Sequence, residues 1–265
     1  MAIQLVVVGA AGRMGKRIIA LAVESGDFEI CGAVEAPGHG ELGKDAGLAA
    51  GTKALGVKLT ETYPAGAEVV IEFSLPEAVP ATLDYCTKHQ AALVSGTTGL
   101  SSEQRAAIEA ASGKIPVIYG TNMSVGMNIL FGLVGKVAAT LGDQYDIEII
   151  EQHHRFKKDA PSGSALTLAE NICKATGRGF PGCLTHGRSG KAGPREKGTI
   201  GMHAVRAGDI TGVHSVIFGA LGETVTISHT ANNRDTFVRG ALRAAKWLVG
   251  KQPGLYSMAE VLGVS

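Results

Sequence analysis

The chain has 265 residues, of which 45% are hydrophobic, and a formal net charge of +1 at pH 7. This length permits one large domain or two smaller ones, each with a buried core. The balanced charge argues against a nucleic acid or an anionic membrane as partner. The apolar runs look shorter than the roughly 20 residues that span a bilayer, and no secretion signal is evident. We therefore expect a cytoplasmic protein.

The N-terminal segment VVVGAAGRMGKRI has the pattern of a dinucleotide-binding βαβ unit. Three valines predict a strand buried on both faces, and a helical pattern follows the glycines. Gly9 permits a tight turn, Gly12 lets backbone N–H groups approach a pyrophosphate, and Gly15 lets helix and strand pack closely. The spacing is G-x-x-G-x-x-G rather than G-x-G-x-x-G, and similar turns occur in α/β folds that bind no nucleotide. The next strand, FEICGAVE, ends at Glu35, where such folds place the carboxylate that binds the ribose hydroxyls.

The order of the remaining elements predicts two domains. Apolar runs alternate with helical patterns in the first half, which is typical of a parallel sheet covered by helices. Beyond residue 123, successive β-rich segments predict a mixed or antiparallel sheet. We expect an α/β fold with a Rossmann-like domain in residues 1–123, completed by a C-terminal helical segment in 236–265. A second, α+β domain in residues 124–235 would hold the substrate and support oligomerisation.

The densest polar cluster is EQHHRFKKDAPSGSA, which follows a predicted strand and precedes a predicted helix. His153 and His154 can exchange protons near neutral pH, and Lys157 offers a positive charge. The helix start at Ser162–Ser164 presents N–H groups that suit a carboxylate. A solvated basic loop with a capping serine would have the same composition. A cationic cluster beside a nicotinamide is typical of a site that reduces an anionic substrate.

Two further segments fall at the ends of predicted parallel strands. Gly96-Thr97-Thr98-Gly99 and Gly120-Thr121-Asn122-Met123 are each compact enough to approach a coenzyme, although ordinary turns have similar compositions. The four cysteines form no C-x-x-C pair and no histidines cluster with them, so we expect no metal site and a reducing compartment.

Taken together, these segments resemble the 4-hydroxy-tetrahydrodipicolinate reductase family, also called dihydrodipicolinate reductases. The resemblance is carried by GAAGRMGK, SGTTGL, TNMSVG, DIEIIEQHHRFKKDAPSGSA, GTIGMHAVRAGDITGVH and TFVRGALRAAKWL. It covers nearly the whole chain, and HHR-x-K-x-DAPSG is its most specific part. It implies NAD(P)H-dependent reduction of a cyclic dicarboxylate in the diaminopimelate route of lysine biosynthesis, and assembly as a homotetramer.

The resemblance also implies roles for matching positions. His153 would donate or accept the proton, with Lys157 as a second donor that also holds substrate. His154, Gly163 and Ser164 would bind the dicarboxylate. The implied coenzyme contacts are Gly9, Ala10, Ala11, Gly12, Arg13, Met14, Glu35, Gly96, Thr97, Thr98, Gly120, Thr121, Asn122 and Met123.

The sequence departs from the family pattern at two positions. Ala36 follows Glu35 where well-known members have an arginine for the 2′-phosphate of NADP. Because Glu35 would repel that phosphate, we expect NADH to be preferred or both coenzymes to be used, with Arg13 or Lys16 accommodating NADPH. Met123 stands where an aromatic residue is common, and we expect it to pack on the nicotinamide ring.

Three other functions fit the sequence less well. An aspartate-semialdehyde dehydrogenase needs an activated cysteine, and none lies beside the histidines in sequence. A short-chain dehydrogenase needs a tyrosine and a lysine four residues apart, whereas Tyr85 and Lys88 are three apart. A nucleotide-sensing regulator would have no use for the histidine cluster.

Overall fold

A computed structural model of the chain describes residues 1–264, so the last residue of the predicted C-terminal segment lies outside the described part. The chain divides into two compact units. Unit 1 comprises Met1–Val125 and Asp235–Gly263, and unit 2 comprises Gly126–Arg234 with Val264.

Unit 1 contains a parallel sheet of seven strands. Its elements are β1 (Ile3–Val8), α1 (Arg13–Ser25), β2 (Phe28–Val34), α2 (Ala46–Ala49), β3 (Leu59–Thr60), β4 (Val69–Glu72), α3 (Val79–His89), β5 (Ala92–Ser95), α4 (Ser102–Ser112), β6 (Pro116–Tyr119), α7 (Asp235–Leu248), β12 (Gly254–Tyr256) and α8 (Met258–Leu262). The strand order is β12-β6-β5-β4-β1-β2-β3. The order in which successive strands are added to the sheet reverses between β1 and β4, and such switch points bind ligands at the C-terminal ends of their strands. The Rossmann-like prediction is confirmed.

Both faces of this sheet are buried, as the run of apolar residues in β1 predicted. Val6 and Val8 pack into one hydrophobic cluster, and Leu5 and Val7 pack into another on the opposite face. Helix α7 lies on unit 1, where it contacts α1 and strands β4, β5 and β6. Gly240 permits this approach, because a Cβ atom there would lie 1.7 Å from the Met123 carbonyl oxygen.

Unit 2 contains a mixed sheet of five strands in the order β11-β10-β7-β9-β8. Its elements are α5 (Val125–Leu141), β7 (Asp146–His153), α6 (Gly163–Thr176), β8 (Leu184–His186), β9 (Ile200–Arg206), β10 (Gly212–Ala220) and β11 (Glu223–Ala231). Strand β10 pairs antiparallel with β7 and β11, whereas β9 pairs parallel with β7 and β8. The predicted α+β domain with a mixed sheet is confirmed.

The expectation that every apolar run is too short to span a bilayer was wrong for one segment. Helix α5 with the turn after it, Val125–Gln144, is 20 residues long and apolar enough by composition to do so, and 28% of its most apolar stretch is buried. Met127, Leu130, Val134 and Ala138 of this helix lie in the hydrophobic core of unit 2. That spacing is typical of a helix packed against a sheet.

Candidate active site

A cavity of about 730 Å³ lies at the switch point of the unit 1 sheet. It is lined by residues that follow β1, β2 and β4, including Gly9, Gly12, Arg13, Met14, Glu35 and Ser74. Gly12 precedes α1 without any side-chain cap, so the first N–H groups of the helix, which include those of Arg13 and Met14, are available to an anion. The cavity therefore has the position and the chemistry of a dinucleotide phosphate site.

The glycines of the turn occupy positions that a side chain could not. Gly9 has a φ of +76°, and a Cβ atom there would lie 2.4 Å from the Phe73 carbonyl oxygen. A Cβ atom on Gly15 would lie 2.1 Å from the Gly9 oxygen. These distances account for the tight turn and for the close approach of helix to strand.

Most of the turn's own amides already have partners inside the protein. The N–H groups of Gly9 and Ala10 donate to the Val34 carbonyl oxygen, and Gly12 donates to Gly9. The Ala11 N–H donates to Oε2 of Glu35 at 2.8 Å, while the other carboxylate oxygen accepts from Ala36 at 2.9 Å. This contact fixes the Glu35 carboxylate at the wall of the cavity, and each of its oxygens keeps a further lone pair for a hydroxyl donor.

The other predicted coenzyme residues follow β5 and β6 at the same edge of the sheet. Thr97 is buried and its hydroxyl donates to Glu72, which also accepts from Ser95 at 2.6 Å. A Cβ atom on Gly96 would lie 2.3 Å from the Phe73 ring. The parallel sheet thus brings Gly96–Thr98 and Gly120–Met123 to the edge that carries the glycine turn.

The sequence predicts that the side chain of Met123 packs on a nicotinamide ring, but it does not lie where it could do so. It is 1% exposed and belongs to a hydrophobic core of unit 1. The side chain is therefore directed into the protein and has no open face for a nicotinamide ring. Helix α7 contributes to this burial, because its Val238 and Ala241 belong to the same hydrophobic cluster and its Gly240 packs on the Met123 backbone.

In unit 2, Glu151 is the centre of a buried polar network at the end of β7. It is 1% exposed, yet its two oxygens accept four hydrogen bonds. Oε2 accepts from His153 Nδ1 at 2.5 Å and from Arg206 Nη1 at 2.8 Å. Oε1 accepts from Arg206 Nη2 at 2.7 Å and from the Ser162 N–H at 3.0 Å. All four lone-pair positions of the carboxylate are occupied, which satisfies its burial.

Strand register explains why these residues meet. Glu151 and His153 are two apart on β7 and therefore point to one face of the sheet. Arg206 of β9 pairs with His153, and His214 of β10 pairs with Glu151. The same face carries the apolar core farther along the strands, so the polar network continues the core toward the start of α6.

The network controls the protonation of its histidines. Burial lowers the pKa of His153, and the neighbouring Glu151 carboxylate opposes this effect without cancelling it. Burial would raise the pKa of Glu151, but its hydrogen bonds with Arg206 and His153 outweigh that effect and lower it. Because Glu151 lies at Nδ1, the proton of neutral His153 belongs there, and Nε2 is the position that exchanges a proton.

His214 supports the same loop from the adjacent strand. Burial lowers the pKa of His214 to about 4, so this ring is neutral at physiological pH. Its Nε2 lies 3.2 Å from the Ser162 hydroxyl, and its ring meets His153 edge-on at 5.1 Å between centroids. Ser162 also caps α6 by accepting a hydrogen bond from Ala165 at 3.2 Å. Ser162 is therefore both a cap and a part of the network.

The residues predicted to bind substrate lie around this network. Gly163 and Ser164 open α6, and a Cβ atom on Gly163 would meet open space. The Nδ1 atom of His154 is buried and has no hydrogen-bond partner within residues 1–264. Lys157 Nζ pairs with Asp159 at 2.8 Å instead of contacting His153.

Glu151, Arg206 and His214 belong to this network but not to the site residues that the sequence predicts. A signal for Glu151 was present, since an acid two residues before a histidine on a strand shares its face. No comparable signal existed for Arg206 and His214, because their position depends on the pairing of three strands. Among the described residues, no group of three or more His, Cys, Asp or Glu side chains is arranged to hold a metal ion.

Comparison with known proteins identifies the family. Residues 3–123 match the model described as dihydrodipicolinate reductase, N-terminus, and residues 126–262 match the corresponding C-terminus model. The chain belongs to the dihydrodipicolinate reductase family. It is 47% identical over 265 residues to a 4-hydroxy-tetrahydrodipicolinate reductase of Trichlorobacter lovleyi, covering 99% of each chain. It is 45% identical over 267 residues to the Alkalilimnicola ehrlichii enzyme of that name, covering 100% of each. The resemblance that the sequence motifs indicated is confirmed.

Solved structures share the fold. A dipicolinate-bound dihydrodipicolinate reductase from Paenisporosarcina sp. TG-14 matches with a TM-score of 0.71 and 22% identity, covering 98% of this chain and 99% of that one. An aspartate semialdehyde dehydrogenase II from Vibrio cholerae matches with a TM-score of 0.56 and 11% identity, covering 94% and 99%. The fold is therefore common to several dehydrogenases, and the sequence relatives and family models decide between them.

Proposed function

We propose that this protein catalyses the nicotinamide-dependent reduction of 4-hydroxy-tetrahydrodipicolinate to tetrahydrodipicolinate, in the diaminopimelate route of lysine biosynthesis. Membership of the family supports this reaction. The observation that carries it is the Glu151–His153 pair beside the start of α6, because it provides a proton-exchanging imidazole next to N–H groups that suit a carboxylate.

The residues of unit 1 would hold the coenzyme. The N–H groups at the start of α1 would bind the pyrophosphate, and Glu35 would accept hydrogen bonds from the adenosine ribose hydroxyls. Gly96–Thr98 and Gly120–Asn122 would contact the nicotinamide end, with Met123 contributing backbone alone. When bound, the reduced coenzyme supplies the hydride.

The residues of unit 2 would bind the dicarboxylate and move the proton. Gly163 and Ser164 would donate to one carboxylate, and Lys157 and His154 would contribute to charge and hydrogen bonding. The negative charge of the substrate favours the imidazolium form of His153, so binding would counteract the burial that lowers its pKa. His153 Nε2 would then deliver the proton as hydride addition leaves negative charge on the substrate.

Coenzyme preference follows from the charges around the ribose end of the cavity. Glu35 and Glu61 both line it, and the lining residues Ala36 and Pro37 carry no positive charge that could bind a phosphate. Lys16 lies 2.7 Å from Glu41 and is therefore already paired. Arg13 is left as the cation that lines the cavity. We expect NADH to be preferred, or both coenzymes to be used.

Steady-state oxidation of NADH, with substrate made in situ from aspartate semialdehyde and pyruvate, tests the reaction. NADH oxidation that requires both precursors is expected, and its absence in folded protein would overturn the proposal. A titration tests the coenzyme separately. NADPH binding more than roughly tenfold tighter than NADH, a difference of about 1.4 kcal/mol, would contradict the preference.

The family resemblance also supports a homotetramer in the cytoplasm, with a small cyclic dicarboxylate as ligand and neither nucleic acid nor membrane as partner. Light scattering of the purified protein should give four times the chain mass of 27.2 kDa. A monomer or dimer at assay concentration would contradict this assembly.

A further inference from the structure

Two cysteines that the proposed reaction does not use lie together in unit 2. The Sγ atoms of Cys173 and Cys183 are 3.0 Å apart, and neither residue is in a disulfide. Cys173 belongs to the last turns of α6, and Cys183 directly precedes β8. Both pack with the core of unit 2. The two cysteines are separated in the sequence, and only the fold brings their sulfur atoms together.

Backbone hydrogen bonds on both sides hold this pair in place. Cys173 lies inside α6, whose end is closed by Gly177 in a left-handed conformation. The Cys183 N–H donates to Gly179 at 2.9 Å, and its carbonyl oxygen accepts from Ile200 at 2.9 Å. These hydrogen bonds fix the backbone of both cysteines, so that their side chains lie next to each other.

The surroundings give the two thiols different chemistry. Cys173 is 2% exposed, and burial raises its pKa to about 12, with the Cys183 contact adding to this effect. Cys183 is half-buried and so can be reached from solvent. The backbone N–H of Arg178 donates to the Cys173 carbonyl oxygen at 3.0 Å, and its guanidinium donates to Asp143 at 3.2 Å. The positive charge of Arg178 opposes the effect of burial on the pKa of Cys173 without cancelling it.

We propose that Cys173 and Cys183 form a reversible dithiol–disulfide pair that hydroperoxides oxidise. The Cys183 thiolate attacks the peroxide, whose O–O bond breaks, and the alcohol or water that leaves takes up the thiol proton. The resulting sulfenic acid is then attacked by the Cys173 sulfur, and its hydroxyl leaves as water with the Cys173 proton. Two electrons pass from the two thiols to one peroxide, and one S–S bond forms.

This disulfide would join the C-terminal end of α6 to the edge of the sheet. Since α6 begins at the candidate dicarboxylate site, the linkage would act on the element that positions Gly163 and Ser164. In a reducing cytoplasm such a bond is transient, which is the usual behaviour of intracellular disulfides. The proposal concerns only the thiols and does not depend on the reaction proposed above.

Peptide mapping of hydrogen-peroxide-treated protein tests the pair. The four thiols of the reduced chain should fall to two, and a linked peptide containing Cys173 and Cys183 should appear and disappear again with a phosphine reductant. The Cys31→Ser/Cys86→Ser variant should still form the linkage, whereas Cys183→Ser should not. A full count of four thiols after peroxide, or bonds that join Cys173 to other cysteines, would overturn the proposal. Because the wild-type result decides the matter, poor folding of a variant does not obscure it.

Discussion

The contact between Glu151 and His153 makes a quantitative prediction about the pH dependence of the reaction. Replacement of Glu151 by Gln keeps the side-chain shape but removes the negative charge that stabilises the His153 imidazolium across a 2.5 Å contact. A hydrogen bond to a charged group contributes about 1.5–3 kcal/mol. At about 1.36 kcal/mol per pKa unit, the pKa of His153 should fall by about 1–2 units below its already lowered value.

If His153 supplies the proton, its imidazolium form limits the rate above its pKa. The pH midpoint of kcat/KM in Glu151→Gln should therefore move about 1–2 units toward acid, with a rate loss of roughly 10–100-fold near neutral pH. The assay is steady-state NADH oxidation from pH 5 to pH 9, together with NMR titration of the His153 ring. NADH affinity should not change, because Glu151 belongs to unit 2.

Glu148→Gln provides the matched control for this experiment. Glu148 lies on the same strand and also accepts hydrogen bonds from Arg188, Arg195 and His203, which with the other contacts hold its pKa at about 2 despite burial. It belongs to the opposite face of the sheet and does not contact His153. Its variant should lose a comparable ion-pair network but keep the pH midpoint. Equal shifts in both variants, or no shift in Glu151→Gln, would refute the positioning role.

Substitutions at His153, His214 and Gly15 test the two candidate sites and the buried network. His153→Gln should lower kcat at least ~100-fold with near-normal NADH affinity, and full turnover would remove the assigned role. The pKa of His214 is about 4 in the folded protein and 6.5 in its ordinary state, so between these pH values the folded state binds fewer protons than the unfolded state. The free energy of unfolding should therefore fall by about 3 kcal/mol as the pH drops through this window. Denaturant unfolding at several pH values should show a smaller loss of stability in His214→Gln, whereas a variant of the exposed His186 should show the full loss. Gly15→Ala would place a methyl group 2.1 Å from a backbone oxygen, so the NADH affinity measured by titration should fall at least ~10-fold. In the control Gly40→Ala the methyl group would meet open space, and the NADH affinity should stay normal.

Local patterns in the sequence predicted those features that depend on neighbouring residues. The glycine spacing predicted the turn, because only glycine tolerates the positive φ of Gly9 and the contact at Gly15. Alternation of strands and helices predicted the parallel sheet, and the loss of that alternation predicted the mixed sheet. The density of polar residues between a predicted strand and a predicted helix indicated the histidine cluster, and the family resemblance implied the roles of its residues. Each of these signals can be recognised from the order of residues along the chain, without knowledge of which strands pair.

The tertiary structure alone decided which distant residues share a site or a core. Arg206 and His214 reach Glu151 through strand register, and the sequence gives no measure of that register before the strands pair. Met123 was expected at the nicotinamide, but α7 returns from more than a hundred residues away and contributes to its burial. The pairing of Cys173 with Cys183 likewise depends on how β9 fixes the chain after α6. Local sequence sets backbone preferences, whereas burial, and with it the charge state of His153 and His214, arises only when separate segments exclude water from the same space.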